Sequence, residues 1–193
     1  MKRNVLNLTL PAIGAAFLCL CAWLSFPLFG VPITMQVFGV ALLTLLFPSR
    51  MAIAAVALYL CLGALGLPVF SSFGGGFGVL TGVTGGYLWG FLPIPLAAYL
   101  DRICRRRNRS RTTGEKNLTF RSLLPLVLGL ILCYTVGTVQ FACVASVSPN
   151  FPGVLSILSI CVFPFLIPDG IKLLLAFYCA RRLLKTGVLQ NIV

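Results

Sequence analysis

The sequence predicts an all-α integral membrane protein of six transmembrane helices with both termini in the cytoplasm, and three observations lead there. First, the 193 residues are 59% hydrophobic and only 9% charged, whereas soluble domains carry about 25% charged residues. Second, no charged residue occurs between Arg3 and Arg50, between Arg50 and Asp101, or between Arg121 and Asp169. Each block has room for one or two spans of roughly 20 residues. Third, the basic residues fall in alternate connections. The whole chain, 1–193, reads as a single membrane domain.

Span one runs from about Leu8 to Phe26 and stops at Pro27. Lys2 and Arg3 before an apolar run resemble the start of a secretory signal, but no A-x-A-like cleavage site precedes Pro27 and further apolar segments follow, so the segment is expected to be retained as a span. Pro27 to Thr34, with Gly30 and Pro32, is expected to be a turn-rich connection. Span two, Met35 to Phe47, would be only about 20 Å long against a hydrocarbon core of about 30 Å. It is expected to tilt poorly or to have its end shielded by neighbours. Pro48-Ser49-Arg50 links it tightly to span three, Met51 to Gly66, which Gly66-Leu67-Pro68 ends.

A glycine-rich stretch from Ser71 to Gly78 follows. It lacks a following G-K-[ST], so it is not a phosphate cradle. Span four is expected from Val79 to Leu100, a basic cytoplasmic loop over 101–121, and span five from Ser122 to Val147, broken by Ser148 to Gly153. Pro164 and Pro168 interrupt the next apolar run, which predicts a re-entrant or interfacial piece before span six, Asp169 to Leu184.

Fourteen of the fifteen Lys and Arg lie at the N-terminus (Lys2, Arg3), after span two (Arg50), after span four (Arg102 to Arg121) or at the C-terminal end (Arg181, Arg182, Lys185). The connections after spans one, three and five carry none. Six spans with cytoplasmic ends satisfy the positive-inside rule, and five or seven break it.

The net charge of +12 does not point to nucleic acid, because the basic residues sit between membrane segments rather than on one soluble face. The eight cysteines form no C-x-x-C pair and there is no His, so neither a disulfide framework nor a metal site is expected. With no His and three acids, of which Asp101 and Glu115 fall in the cytoplasmic loop, no acid/base pair remains and no catalytic residue is assigned. The chain carries no nucleotide-binding domain and no cofactor is expected.

Asp169 and Lys172 are the one ionisable pair set in apolar sequence, and their i, i+3 spacing puts both on one helix face. Two readings fit. In the structural one, the pair pins an irregular helix start and Asp169 caps it after Pro168. In the functional one, the carboxylate accepts N–H bonds from a neutral ligand group while the ammonium meets a carbonyl or anionic oxygen. The ligand would be small, partly apolar and bifunctional. Glycines within Thr84-Gly85-Gly86-Tyr87-Leu88-Trp89-Gly90-Phe91 predict a close backbone approach by a helix or a ligand. Ala12-x-x-x-Ala16 offers a small-residue surface to another helix.

Taken in order, these segments resemble the BioY family, the biotin-specific substrate-binding (S) components of energy-coupling factor (ECF) transporters, over about Ala12 to Leu184. The family's outer-loop signature is similar to Val31-Pro32-Ile33-Thr34-Met35-Gln36, and its span-three ending to Tyr59 through Phe70. Its P-T-G-G-Y-L-x-G-F motif resembles Val83 to Phe91, with Val83 in place of proline. Gly137-Thr138 is similar to its span-five element, and Asp169 and Lys172 match its acidic-then-lysine pair, with Asp169 preceding Gly170 where the family's order differs.

The resemblance implies an ECF S-component-like bundle that captures biotin from the outer side. It implies Asp169 and Lys172 as polar anchors, with Gln36, Thr84, Gly85, Gly86, Tyr87 and Tyr134 lining the pocket. It also implies two kinds of partner besides the lipid bilayer: a transmembrane coupling protein, docking on span one through Ala12 and Ala16, and two cytoplasmic ATPases. A self-sufficient carrier in which Asp169 gains and loses a proton, and a membrane scaffold without ligand, are the competing classes.

Overall fold

The structure, a computed structural model, describes the backbone of residues 2–28, 31–108, 120–146 and 153–186, and side chains over 8–26, 32–105, 120–146 and 153–186. Most of the 101–121 loop, including Glu115, and the Ser148 to Pro152 stretch lie outside the described residues.

Helix α1 (Lys2–Trp23) leads into an antiparallel ribbon of β1 (Ser25–Leu28) and β2 (Val31–Thr34), in which Pro27 faces Pro32. A ribbon rather than a string of turns connects the first two spans. Each Pro lacks an N–H, which a two-stranded ribbon tolerates on its free edges. Helices α2 (Gln36–Leu46) and α3 (Ser49–Ala64) follow as the expected hairpin. Helix α2 is the shortest expected span and also the most enclosed. All of its residues but Phe38 are buried, because α9, α1, α6 and α3 pack around it.

Span four is not one helix. It is divided into α4 (Phe77–Thr81), α5 (Gly85–Trp89) and α6 (Pro93–Asn108), which corrects the expected continuous run from Val79 to Leu100. The cause is the glycine series. Gly82 adopts an extended backbone, φ −70° and ψ 178°, and the break exposes carbonyls that a helix would have satisfied. Gln140, on α7 (Leu123–Ala145), donates its Nε2 to the Leu80 carbonyl at 2.8 Å and to the Gly82 carbonyl at 2.9 Å. Non-helical backbone at depth survives where protein groups satisfy it, and here one amide does so twice.

The last region also departs from expectation. A short α8 (Gly153–Cys161) is followed, after Val162 alone, by α9 (Phe163–Lys185). The final helix therefore begins at Phe163 rather than Asp169. Pro164 sits in the first turn, where no N–H partner is required, and Pro168 is carried inside the helix. Asp169 lies well within α9 and is not its cap.

The bundle has two distinct ends. At one, the loop of residues 68–76 packs against the end of α1: Trp23 Nε1 donates to the Pro68 carbonyl at 2.9 Å, and its ring lies 5.2 Å from that of Phe73. At the other, Arg102 of α6 donates to the Thr44 carbonyl (2.9 Å), the Phe47 carbonyl (3.4 Å) and Ser49 Oγ (2.9 Å). A cation on the last carbonyls of α2 satisfies acceptors the helix leaves open and complements its dipole. The rings of Phe120 and Phe177, 5.0 Å apart, bring the start of α7 beside the basic end of α9.

Candidate ligand site

Between the ribbon and the middle of the bundle lies a cavity of about 110 Å³, far above the ~10–15 Å³ one water needs. Pro32 and Thr34 from the ribbon, Gln36 and Val37 from α2, and Ser71 from the 68–76 loop border its outer part. Thr84, Tyr87 and Phe91 from the broken span, Cys133 from α7, Cys161 from α8, and Phe165, Asp169 and Lys172 from α9 complete the wall. The helix breaks are what bring these side chains together. An uninterrupted span four would not turn Thr84 and Tyr87 toward α9.

The polar groups of the wall hold one another in place. Lys172 Nζ donates to Asp169 Oδ1 at 2.7 Å, and the Tyr134 hydroxyl donates to Asp169 Oδ2 at 2.8 Å. Both carboxylate oxygens are thus held, with Asp169 3% and Lys172 7% exposed. An ammonium carries three N–H groups, so two on Lys172 remain beyond the one on Asp169. Elsewhere on the cavity wall, the Thr34 hydroxyl donates to Gln36 Oε1 at 2.8 Å and Gln36 Nε2 donates to the Tyr59 hydroxyl at 2.6 Å. That amide is locked in one orientation. Among the described residues, no buried side-chain nitrogen or oxygen lacks a partner.

The candidate residues fall into four placements. Gln36, Thr84, Tyr87, Asp169 and Lys172 share the cavity wall. Tyr134 reaches it through Asp169. Gly85 and Gly86 are buried in contacts of the break itself: a Cβ on Gly86 would lie 2.7 Å from Gln140 Cβ and 2.8 Å from the Val136 carbonyl, and one on Gly85 would meet the Leu80 carbonyl. The close approach foreseen from the glycines is thus made by a neighbouring helix. Ala12 and Ala16 are exposed on α1, away from the cavity and on the face opposite Gly14 and Leu18.

Several contributors escaped the sequence reading. Phe165 enters because α9 begins early, Cys161 comes from α8, and Gln140 acts on backbone carbonyls. A lone amide within an otherwise apolar span was the available signal for Gln140, since a polar side chain at depth needs a partner.

The sequence model of the BioY family matches residues 1–187. The "Biotin transporter BioY" of Thermotoga maritima is 37% identical over 179 residues, covering 91% of this chain and 94% of that protein. The "Probable biotin transporter BioY" of Pyrococcus horikoshii is 31% identical, with 92% and 95% covered. Among solved structures, one described as the S-component for biotin from an ECF-type ABC transporter matches with a TM-score of 0.77 and 27% identity, over 99% of this chain and 97% of that one.

Proposed function

The chain belongs to the BioY family, and from that premise we propose that it is the biotin-binding membrane subunit of an ECF-type uptake transporter, which captures biotin at the outer side. The observation that carries the reading to particular residues is the buried Asp169–Lys172 pair on the wall of an otherwise largely apolar cavity. Biotin is bifunctional in the required sense. Its ureido N–H groups suit a carboxylate acceptor, its carbonyl and carboxylate oxygens suit an ammonium, and its ring and valeryl chain suit Val37, Val79, Leu88, Phe91 and Phe165.

In this reading, α1, α2, α3, the α4–α6 series, α7 and the α8–α9 run make six crossings, with both termini cytoplasmic. Two of them, Phe120–Ala145 and Gly153–Lys185, are long and apolar enough to cross a bilayer on their own. The shorter ones rely on being wrapped by neighbours. The Arg102 end, with Arg50, Arg105, Arg121 and the end of α9, faces the cytoplasm as the positive-inside rule requires. Energy comes from two cytoplasmic ATPases through a membrane coupling protein, which docks on the exposed Ala12–Ala16 face of α1, where small side chains admit a close helix.

Isothermal titration of biotin into the purified protein in detergent is expected to give saturable one-to-one binding tighter than about 1 μM. Absence of binding would overturn the reading. Uptake that proceeds without any ATPase and follows a proton or sodium gradient would transfer it to the carrier class. For topology, a reporter inserted at Ser72 is expected to read outside and one after Arg109 or Lys185 inside. A cytoplasmic signal from Ser72 would place the cavity mouth on the wrong side for capture.

A further inference from the structure

One side of α9 carries an ordered stripe that the ligand site does not use. Tyr178, Arg181, Arg182 and Lys185 stand at i, i+3, i+4 and i+7, hence on one face, and border a second cleft of about 340 Å³. The Arg182 guanidinium lies 5.9 Å from the centroid of the Tyr178 ring. Toward the middle of the bundle the same face continues as Ile167, Ile171, Leu174 and Leu175, exposed by 75%, 61%, 55% and 45%. The ion pairs among the described residues are Arg105–Asp101 and Lys172–Asp169, so the three cations of this face have no acidic partner there.

We propose that this face binds an anionic phospholipid of the inner leaflet, its phosphate between Arg181, Arg182 and Lys185 and its acyl chains along the aliphatic stripe. The order along the helix matches the order of depth in a leaflet. Aliphatic side chains come first, then an aromatic ring with a polar tip, then cations. The aliphatic stripe from Ile167 to Leu175 spans about 12 Å at 1.5 Å per residue, within the ~15 Å that one leaflet contributes to the hydrocarbon core. One anionic amphiphile meets both the cations and the aliphatic residues beside them, whereas an acidic soluble partner meets the cations alone. The proposal rests on the chain being embedded in a membrane and is independent of which small molecule fills the cavity.

Native mass spectrometry of the detergent-purified protein, offered equimolar phosphatidylglycerol and phosphatidylcholine, tests it. The wild type is expected to retain phosphatidylglycerol preferentially. The triple variant Arg181→Gln, Arg182→Gln, Lys185→Gln is expected to lose the preference by about fivefold per cation removed, while biotin binding in the same sample is unchanged. The charge-preserving Arg181→Lys, Arg182→Lys variant is expected to keep it. Equal retention of the two lipids by the wild type, or an undiminished preference in a folded triple variant, would overturn the assignment. So would displacement of the lipid by millimolar inorganic phosphate, which would mark a free-anion site. Loss of assembly with the coupling protein at unaltered lipid preference would assign the face to a protein partner instead.

Discussion

Lys172→Ala is expected to abolish tight biotin binding while the protein still inserts and folds. Among the described residues the ammonium is the one cation on the cavity wall, and its Nζ sits 2.7 Å from Asp169 Oδ1. A hydrogen bond to a charged group is worth about 1.5–3 kcal/mol, or roughly 10- to 150-fold in affinity. Asp169→Asn should act as strongly, because it removes the acceptor charge and also weakens what Tyr134 and Lys172 hold in place. Stability has to be followed in parallel, since removing one member of a buried pair strands the other at a cost of about 3–5 kcal/mol. The double variant separates the two effects. With both charges gone the fold recovers stability, yet titration should detect no biotin. If the pair is purely structural, both single variants lose thermal stability and the folded fraction still binds. Wild-type affinity in a folded Lys172→Ala protein would remove the ligand assignment.

Substitutions at the glycines between the broken span and α7 should have the next largest effects. A Cβ on Gly90 would lie 2.7 Å from the Cα of Cys133, and one on Gly129 would lie 3.1 Å from the backbone nitrogen of Ile94. The obstacle in both cases is backbone, which has no rotamer to move. Gly90→Ala and Gly129→Ala are each expected to lower thermal stability by the ~1–3 kcal/mol typical of overpacking. Gly137→Ala adds a functional consequence, because its Cβ would strike the ring of Tyr87, which lines the cavity. Biotin affinity should fall there along with stability. Gly170→Ala is the control: nothing lies within 4 Å of the added Cβ, and its midpoint should stay level or rise, since Ala is the better helix former. A Gly90→Ala protein as stable as the Gly170→Ala one would refute the close α5–α7 packing.

Local signals in the chain located two of the helices well, though α1 runs over Lys2–Trp23 rather than from Leu8 to Phe26. Helix α3 falls within two residues of its expected start and end, and α7 within two residues of both, because hydropathy and Pro or Gly stops are local properties. The placement of basic residues likewise predicts which end faces the cytoplasm, since their charge acts residue by residue at the membrane surface. The i, i+3 spacing of Asp169 and Lys172 put the pair on one face whichever residue began the helix.

Three matters were decided only by tertiary packing. Span four reads as continuous because isolated glycines lower helix propensity without stating which peptide will break. The break falls at Gly82 because Gln140, some sixty residues later in the chain, is there to donate to the liberated carbonyls. Pro164 and Pro168 read as interruptions, yet the first lies where a helix needs no donor and the second is held within a packed helix, so α9 starts early and places Phe165 on the cavity. The meeting of Gln36, Tyr87 and Asp169 around one space depends on contacts among helices distant in sequence. Residue type and spacing along the chain determined the membrane-embedded, helical character and the ionic pair; the shape of the cavity came from satisfying hydrogen bonds and volume between helices, quantities that exist only once the helices are packed.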